Sequence, residues 1–137
     1  MPSNTLAHSM KSAFCAVLLL SLGACSEEPL SDIKAATVIE AVRSGDDKAW
    51  EAVRSKKVRW TGKVVQALMI HGDDFVKEFY LRYDPDFGAG TFAEVQINPS
   101  QAEDFKPGQA VTVTALILSH EKENETILVK LGSAKFE

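Results

Sequence analysis

The sequence predicts a mainly β domain of five strands, preceded by one or two short helices. Three observations support this fold class. Apolar residues recur at helical spacing in the segment before Lys56, and from Lys56 onward they alternate with polar ones, as in half-buried strands. Five alternating segments follow, separated by turn-forming stretches such as His71-Gly72-Asp73-Asp74 and Pro107-Gly108. A short helical segment is expected between the third and fourth strands, so the element order is β-β-β-α-β-β.

The N-terminal segment 1–24 has the pattern of a secretory signal peptide. Lys11 is its only charged residue, and the apolar run that follows, SAFCAVLLLSL, is shorter than the roughly 20 residues needed to cross a bilayer. The run ends in Leu22-Gly23-Ala24-Cys25, which resembles the lipobox of bacterial lipoproteins. This resemblance implies cleavage before Cys25 and attachment of diacylglycerol and an N-acyl chain to it. We expect no other cofactor.

The lipobox resemblance also implies a location. Two or more acyl chains give stable membrane attachment where a single chain is marginal. Ser26 follows the modified cysteine, whereas an aspartate at that position is typical of inner-membrane retention in Gram-negative lipoproteins. We therefore expect a protein lipid-anchored in the bacterial cell envelope, at the outer membrane and facing the periplasm. A buried N-terminal helix with an incidental cysteine is the alternative interpretation.

Removal of the signal peptide would leave a lipidated tether at 25–32, a helical lead-in at 33–55 and an OB-fold-like domain at 56–137. Cys15 would leave with the signal and Cys25 would carry lipid, so we expect neither a disulfide nor a cysteine-bound metal. The chain has a net charge of −4, and loss of the signal makes the remainder more acidic. An acidic protein is a poor default partner for polyphosphates.

The lead-in predicts two short helices. Ser31 or Asp32 is the expected N-cap of the first helix, and Gly45 is expected to end it. Asp46 or Asp47 is the expected cap of the second. The apolar contacts of the two helices are Ala35, Val38, Ile39 and Val42 in the first and Trp50 and Val53 in the second.

The alternation predicts which side chains form the core of the sheet. Those expected to point inward are Val58, Trp60, Gly62 and Val64; Phe75, Phe79, Leu81 and Tyr83; Ala93, Val95 and Ile97; Val111, Val113, Ala115 and Ile117; and Ile127, Val129 and Leu131. Gly62 is expected at a bend or bulge of the long first strand. Ala102 and Phe105, which belong to the helical segment that starts at Asn98, are expected to face inward as well.

This element order is that of the OB-fold, a five-stranded, partly open Greek-key barrel. The lipobox, the helical lead-in, KKVRWTGKVV (56–65) and FKPGQAVTVTA (105–115) together resemble the bacterial lipoproteins with a tRNA-anticodon-like OB domain. The resemblance covers most of the chain after the signal peptide and implies an OB-type barrel. The family's name records a likeness of fold and does not imply that this chain binds tRNA.

The segment KKVRWTGKVVQ (56–66) raises the question of nucleic-acid binding, because single-strand binders combine a cationic groove with exposed aromatic rings. The alternation separates the two kinds of group. Trp60 shares a face with aliphatic residues, whereas Lys57, Arg59 and Lys63 point to the other side. We expect Trp60 in the core and the cations on a solvated outer face, so nucleic acid is not the expected partner.

A better candidate surface lies on the second and third strands, across which OB-folds usually bind ligands. The candidate ligand-binding residues that point outward there are Tyr80, Arg82, Phe92 and Gln96. Glu78 and Glu94 are expected on the same surface and would repel phosphate, which favours a protein, a peptide or a glycan. An ordinary mixed exterior is the other interpretation, because single exposed apolar residues are normal.

The sequence does not predict catalysis. No serine lies in a glycine-flanked elbow, and no HExxH or paired-histidine spacing occurs. His71, Asp73 and Asp74 fall in a predicted hairpin turn, and His120 begins a predicted acidic loop at 121–125; a metal or catalytic site built from these four residues is one alternative. We expect a non-enzymatic binding or structural protein, with nucleic-acid binding as a further alternative.

Overall fold

The computed structural model describes residues 27–73 and 75–137. Two short helices come first: α1, Ala35–Ser44, and α2, Asp47–Val53. The strands are β1, Lys57–Gly72; β2, Lys77–Asp84; β3, Thr91–Gln96; β4, Ala110–Glu123; and β5, Thr126–Phe136. A 3₁₀ helix, Pro99–Asp104, connects β3 to β4. The protein is thus mainly β with short helices before the sheet, as predicted. The signal peptide and Cys25 lie outside the described residues.

The five strands form one sheet that closes into a ring in the order β1-β2-β3-β5-β4. Neighbouring strands are antiparallel, except that β3 and β5 run parallel. The long strand β1 serves two partners, because Lys57–Lys63 pairs with β4 and the residues from Lys63 to Gly72 pair with β2.

Gly62 lies next to the point where β1 passes from one partner strand to the other. A Cβ atom at this position would stand 2.2 Å from the backbone carbonyl oxygen of Asp84, so only glycine lets the end of β2 approach this closely. Register shifts follow at once, between Val64 and Gln66 and between Gln66 and Met69. The irregularity predicted for this part of β1 is therefore present, and the close approach of β2 is the reason for the glycine.

The interior of the ring is filled mainly by the side chains that the alternation assigned to it. Trp60 is 7% exposed, and its indole Nε1 donates a hydrogen bond to the carbonyl oxygen of Ile33 at 2.9 Å. Two assignments are wrong. Phe75 is 94% exposed, because it lies in the turn before β2, and Ile127 is only half-buried near the start of β5, whereas its neighbour Leu128 is fully buried.

The residues that cap helices α1 and α2 agree only partly with the prediction. The N-cap of α1 is Lys34, without a side-chain hydrogen bond, so the prediction of Ser31 or Asp32 is wrong. The backbone N–H of Ser31 instead donates to the first residue of β1, which keeps this segment extended. Gly45 ends α1 with a φ of +68°, and the side chain of Asp46 caps α2, both as predicted.

The acidic segment 121–125 is not a loop. β4 continues to Glu123, and its last residues pair with the first residues of β5. Only Asn124 and Glu125 form the turn, with Asn124 in the left-handed region at a φ of +57°. In the described part of the chain, no helix is long and apolar enough to cross a membrane.

Candidate functional site

A cleft of about 720 Å³ crosses the outer face of the ring, over parts of β2, β3, β4 and β5. Its lining combines an aromatic ring with carboxylates, side-chain amides and hydroxyls. The side chains with these groups are Tyr80, Glu78, Glu121, Gln96, Asn98, Gln101, Ser119 and Ser133, and His71, Lys130 and Leu118 lie beside them. Concave sites with a few oriented polar groups are typical of ligand-binding surfaces.

Glu94 lies on the outer face next to this cleft and is nevertheless fully buried. Its Oε2 accepts a hydrogen bond from Nη2 of Arg82 at 2.6 Å, and its Oε1 accepts one from the ammonium group of Lys130. Nε2 of His71 lies 3.3 Å from the same carboxylate. The expectation that Glu94 is an exposed charge that repels phosphate is therefore wrong. The physical reason is that Arg82 and Lys130 stand on either side of it in the strand ladder.

The surroundings of Glu94 favour its ionised form. Burial by itself would raise the pKa of Glu94, because it disfavours the charged state. Hydrogen bonds from Lys130, Arg82 and His71, together with the charge of Lys130, outweigh burial and hold the pKa below its ordinary value. Glu94 is thus an anion at neutral pH whose charge is balanced within the fold.

Tyr80 lies in the cleft and is held by contacts on several sides. The ammonium group of Lys130 lies 4.8 Å from the centroid of its ring, and the ring of His71 meets it edge-on at 5.0 Å between centroids. Its hydroxyl donates to Glu78 at 2.5 Å. This hydrogen bond, with burial and the nearby carboxylates, raises the pKa of Tyr80 to about 12. Tyr80 therefore stays a neutral phenol in a fixed position.

The structure divides the four predicted ligand-binding residues into two pairs. Tyr80 and Gln96 line the cleft and stand opposite each other in the β2–β3 ladder. Arg82 and Phe92 do not line it. The guanidinium group of Arg82 is bound to Glu94 and lies 5.9 Å from the centroid of the Phe92 ring. This second pair supports the surface beside the cleft.

Sequence reasoning missed Lys130, Glu121 and Ser133, which the fold brings to the cleft from β4 and β5. The alternation of apolar and polar residues around Val129 and Leu131 was sufficient to predict that Lys130 points outward. No local signal indicated that β5 lies beside β3, so the contact between Lys130 and Glu94 was not predictable from either strand alone.

The structure does not bring together the residues of the alternative metal or catalytic site, as far as they are described. His71 was predicted in the turn, but it is a strand residue near the end of β1 whose side chain contacts the Glu94 carboxylate. His120 is a β4 residue whose ring packs edge-on against Trp50 at 4.4 Å. Asp73 accepts hydrogen bonds from two backbone N–H groups of the turn, and Asp74 lies outside the described residues. Among the residues that are described, no group of three or more His, Cys, Asp or Glu is arranged to hold a metal ion.

The opening half of β1 separates aromatic and cationic groups as the alternation predicted. Trp60 is buried, whereas Arg59 and Lys63 are exposed and Lys57 is half-buried. Arg59 forms an ion pair with Glu137, and Nζ of Lys57 lies 3.6 Å from Oε1 of Glu27. A nucleic-acid base could not stack on Trp60 while these cations bind its phosphates, because the two groups lie on opposite faces of the strand.

No protein-family model matches the sequence, and no curated protein matches it. Among solved structures, the fold is similar to the crystal structure of a protein from Klebsiella pneumoniae subsp. pneumoniae MGH 78578 that is named a "putative nucleic acid-binding lipoprotein". The TM-score is 0.56 at 14% sequence identity, over 84% of this chain and 96% of the other. At this identity the similarity concerns the fold.

Proposed function

We propose that this protein is a non-enzymatic, lipid-anchored binding protein of the bacterial cell envelope that recognises a glycan in the cleft. The lipobox pattern at Cys25 supports the anchor, and so does the fold shared with a protein named as a lipoprotein. Ser26 after the cysteine favours the outer membrane, with the domain facing the periplasm. The strand order, with a helical segment between β3 and β4, supports an OB-type Greek-key barrel.

The composition of the cleft is the observation that carries the proposed ligand. The amides of Gln96 and Asn98 can donate and accept hydrogen bonds, and the hydroxyls of Ser119 and Ser133 can do the same. The amide oxygen of Gln101 accepts the backbone N–H of Asn98 at 2.8 Å, and its NH₂ group can donate to a ligand. Sugar hydroxyl groups need such partners in both directions. Tyr80 adds an apolar ring with a polar tip, which suits the mixed faces of a sugar ring. The lining residues come from several neighbouring strands, which fits a chain-like ligand laid across them.

The charges of the cleft support an uncharged ligand over a polyphosphate. Lys130 is the cation that lines it, and this ammonium group is already bound to Glu94 and lies 3.2 Å from Oε1 of Glu121. Glu78 and Glu121 also line the cleft. A phosphate chain would meet these two anions, whereas a glycan can donate hydroxyl hydrogen bonds to them.

The test is calorimetric titration of the full-length protein in detergent with neutral and N-acetylated oligosaccharides, short peptides and single-stranded oligonucleotides. We expect an oligosaccharide to bind. Gln96→Ala should weaken this binding about fivefold, because it removes one neutral hydrogen bond of about 1 kcal/mol. Gln66→Ala is the matched control, since Gln66 is also an exposed strand glutamine but does not line the cleft.

The proposal is wrong if no oligosaccharide binds, or if both glutamine variants weaken binding equally. Binding of a peptide alone would retain the cleft as a binding site and would replace the glycan by a polypeptide.

Nucleic-acid binding is the second candidate function. The name of the Klebsiella protein favours it, and so does the finding that the charge of Glu94 is balanced by Arg82 and Lys130. Titration with a single-stranded oligonucleotide at several salt concentrations decides between the two. Phosphate contacts require that log K falls with log salt by about 0.7 per contact for single strands, and a flat or absent response excludes them.

A further inference from the structure

The β1–β2 hairpin carries most of the large apolar side chains that the described chain exposes. Seven such side chains occur in residues 27–73 and 75–137, and five of them lie between residues 65 and 76. We call these five the hairpin patch: Val65, Leu68, Ile70, Phe75 and Val76. Single exposed apolar residues are normal, but a cluster of them indicates an interaction surface.

At Ile70 the hairpin patch continues the apolar inner side of the sheet into solvent. Phe79 packs against the edge of the core, and its partner in the β1–β2 ladder is Ile70, which is 56% exposed. β2 pairs with β3 only from Tyr80 onward, so the end of the hairpin projects beyond the ring as a two-stranded ribbon. The apolar side of this ribbon is left without a covering layer from the described chain.

The same part of β1 has an open backbone edge. Pairing with β4 ends at Lys63, and the backbone N–H and C=O groups of Val64 are bonded to Gln109 and Gly108. Beyond Val64, β1 forms a ladder only with β2. Open edges are usually protected by charged residues or proline, yet the run from Val65 to Gly72 contains neither. Two register shifts disturb the first half of the run, and regular pairing with β2 resumes from Met69. An open, apolar and charge-free edge can accept another strand.

We infer that the hairpin of one copy docks edge to edge with the hairpin of a second copy, which gives an antiparallel dimer. In a two-fold dimer the same patch occurs on both sides, so charges near the axis face like charges. The run from Val65 to Gly72 avoids this repulsion because it holds no Lys, Arg, Asp or Glu. The chain as a whole is acidic, with a net charge of −4. Two copies can therefore approach along this strip without repulsion between like charges on it.

A lipid surface fits the hairpin patch less well than a second copy does. Surfaces that bind anionic lipids are rich in Lys and Arg, and the hairpin has neither between Lys63 and Lys77. The tether also meets the domain at the other end of this 16-residue strand, where Leu30 pairs with Lys57. The hairpin tip thus lies far from the point at which the chain leads to its proposed anchor.

The experiment is sedimentation velocity of the full-length protein in mild detergent over a range of concentrations. We expect a monomer–dimer equilibrium whose dissociation constant rises at least about tenfold in Ile70→Lys, because this change places like charges near the two-fold axis. Leu30→Lys is the matched control, since Leu30 is 57% exposed and lies outside the hairpin; it should dimerise as the wild type does. Circular dichroism melting shows whether each variant folds.

A second measurement in intact cells does not depend on detergent. Ile70→Cys should form a covalent dimer on mild oxidation, whereas Leu30→Cys, which retains the same native cysteines, should not. A wild type that stays monomeric into the millimolar range overturns the inference, and so does a dimer that Ile70→Lys leaves intact. The inference does not rest on the cleft or on its ligand.

Discussion

Two stripes of charged side chains lie on the outer face of the same ring, in opposite surroundings. On the opening half of β1, Arg59 is paired with Glu137, yet its side chain remains 53% exposed. Across β2, β3 and β5, the side chains of Arg82, Glu94 and Lys130 are 14%, 0% and 18% exposed. The alternation turns both stripes outward, and only the neighbours on adjacent strands decide which of them is shielded. A periodic pattern therefore predicts the direction of a side chain and not its exposure.

The strongest test of this difference removes the charge at the centre of the shielded stripe. Glu94→Gln keeps the volume of the side chain but leaves Arg82 without its counter-ion in a poorly solvated place, and leaves Lys130 with only the more exposed Glu121 as an ionic partner. We expect a loss of about 3–5 kcal/mol in the free energy of unfolding, which is typical of breaking a buried ion pair by removing one partner. Urea unfolding followed by circular dichroism measures it.

The control is the same substitution in the exposed stripe. Glu137→Gln removes the partner of Arg59, and we expect the free energy of unfolding to stay within experimental error, because water and salt screen an exposed pair. Similar losses for Glu94→Gln and Glu137→Gln would show that the two stripes do not differ in the way the structure indicates.

The pH dependence of stability sharpens the same comparison. Because the pKa of Glu94 is lower in the folded chain than in the unfolded chain, its contribution is complete above the unfolded value of about 4.3. The contribution is lost as the pH falls through the folded pKa, where both states bind the proton. The melting temperature of the wild type should therefore fall more steeply in this acidic range than that of Glu94→Gln. Equal slopes would contradict the assigned role of Glu94.

The sequence was sufficient for the core but not for the cleft, and the reason is the range of the contacts involved. The inward direction of Val113 or Leu81 follows from the local period and from the burial of apolar groups. The contact between Glu94 and Lys130 instead depends on the parallel pairing of β3 and β5, which closes the ring and joins segments far apart in the chain. Phe75 was assigned to the core by extending an alternating pattern past the true start of β2 at Lys77.

A smaller loss of stability is expected when Trp60, which points inward from the same half of β1 as Arg59, is replaced. Trp60→Phe keeps an aromatic ring in the core but removes the hydrogen bond from the indole to the carbonyl oxygen of Ile33. We expect a loss of about 1–2 kcal/mol, from one hydrogen bond and a slightly smaller side chain. Hydrogen exchange should rise in the segment that leads into α1, because this bond ties that segment to β1. Unchanged exchange there would show that the bond does not hold the lead-in.

The smallest expected change in stability concerns a buried polar group that has no hydrogen-bond partner in the described chain. Tyr83 points inward from β2, and within the described chain its buried hydroxyl has no hydrogen-bond partner, so burial raises the pKa of Tyr83. Tyr83→Phe should leave the free energy of unfolding unchanged or raise it by up to about 1 kcal/mol, because an unpaired buried hydroxyl is unfavourable.

Tyr80→Phe is the matched control and should lower the free energy of unfolding slightly, because the Tyr80 hydroxyl is bonded to Glu78. A loss in Tyr83→Phe as large as that in Tyr80→Phe would mean that the core hydroxyl has a partner such as an internal water. In that case the polar groups of the core and of the shielded stripe would all have partners within the fold, and only the charged groups of the exposed stripe on β1 would be solvated mainly by bulk water.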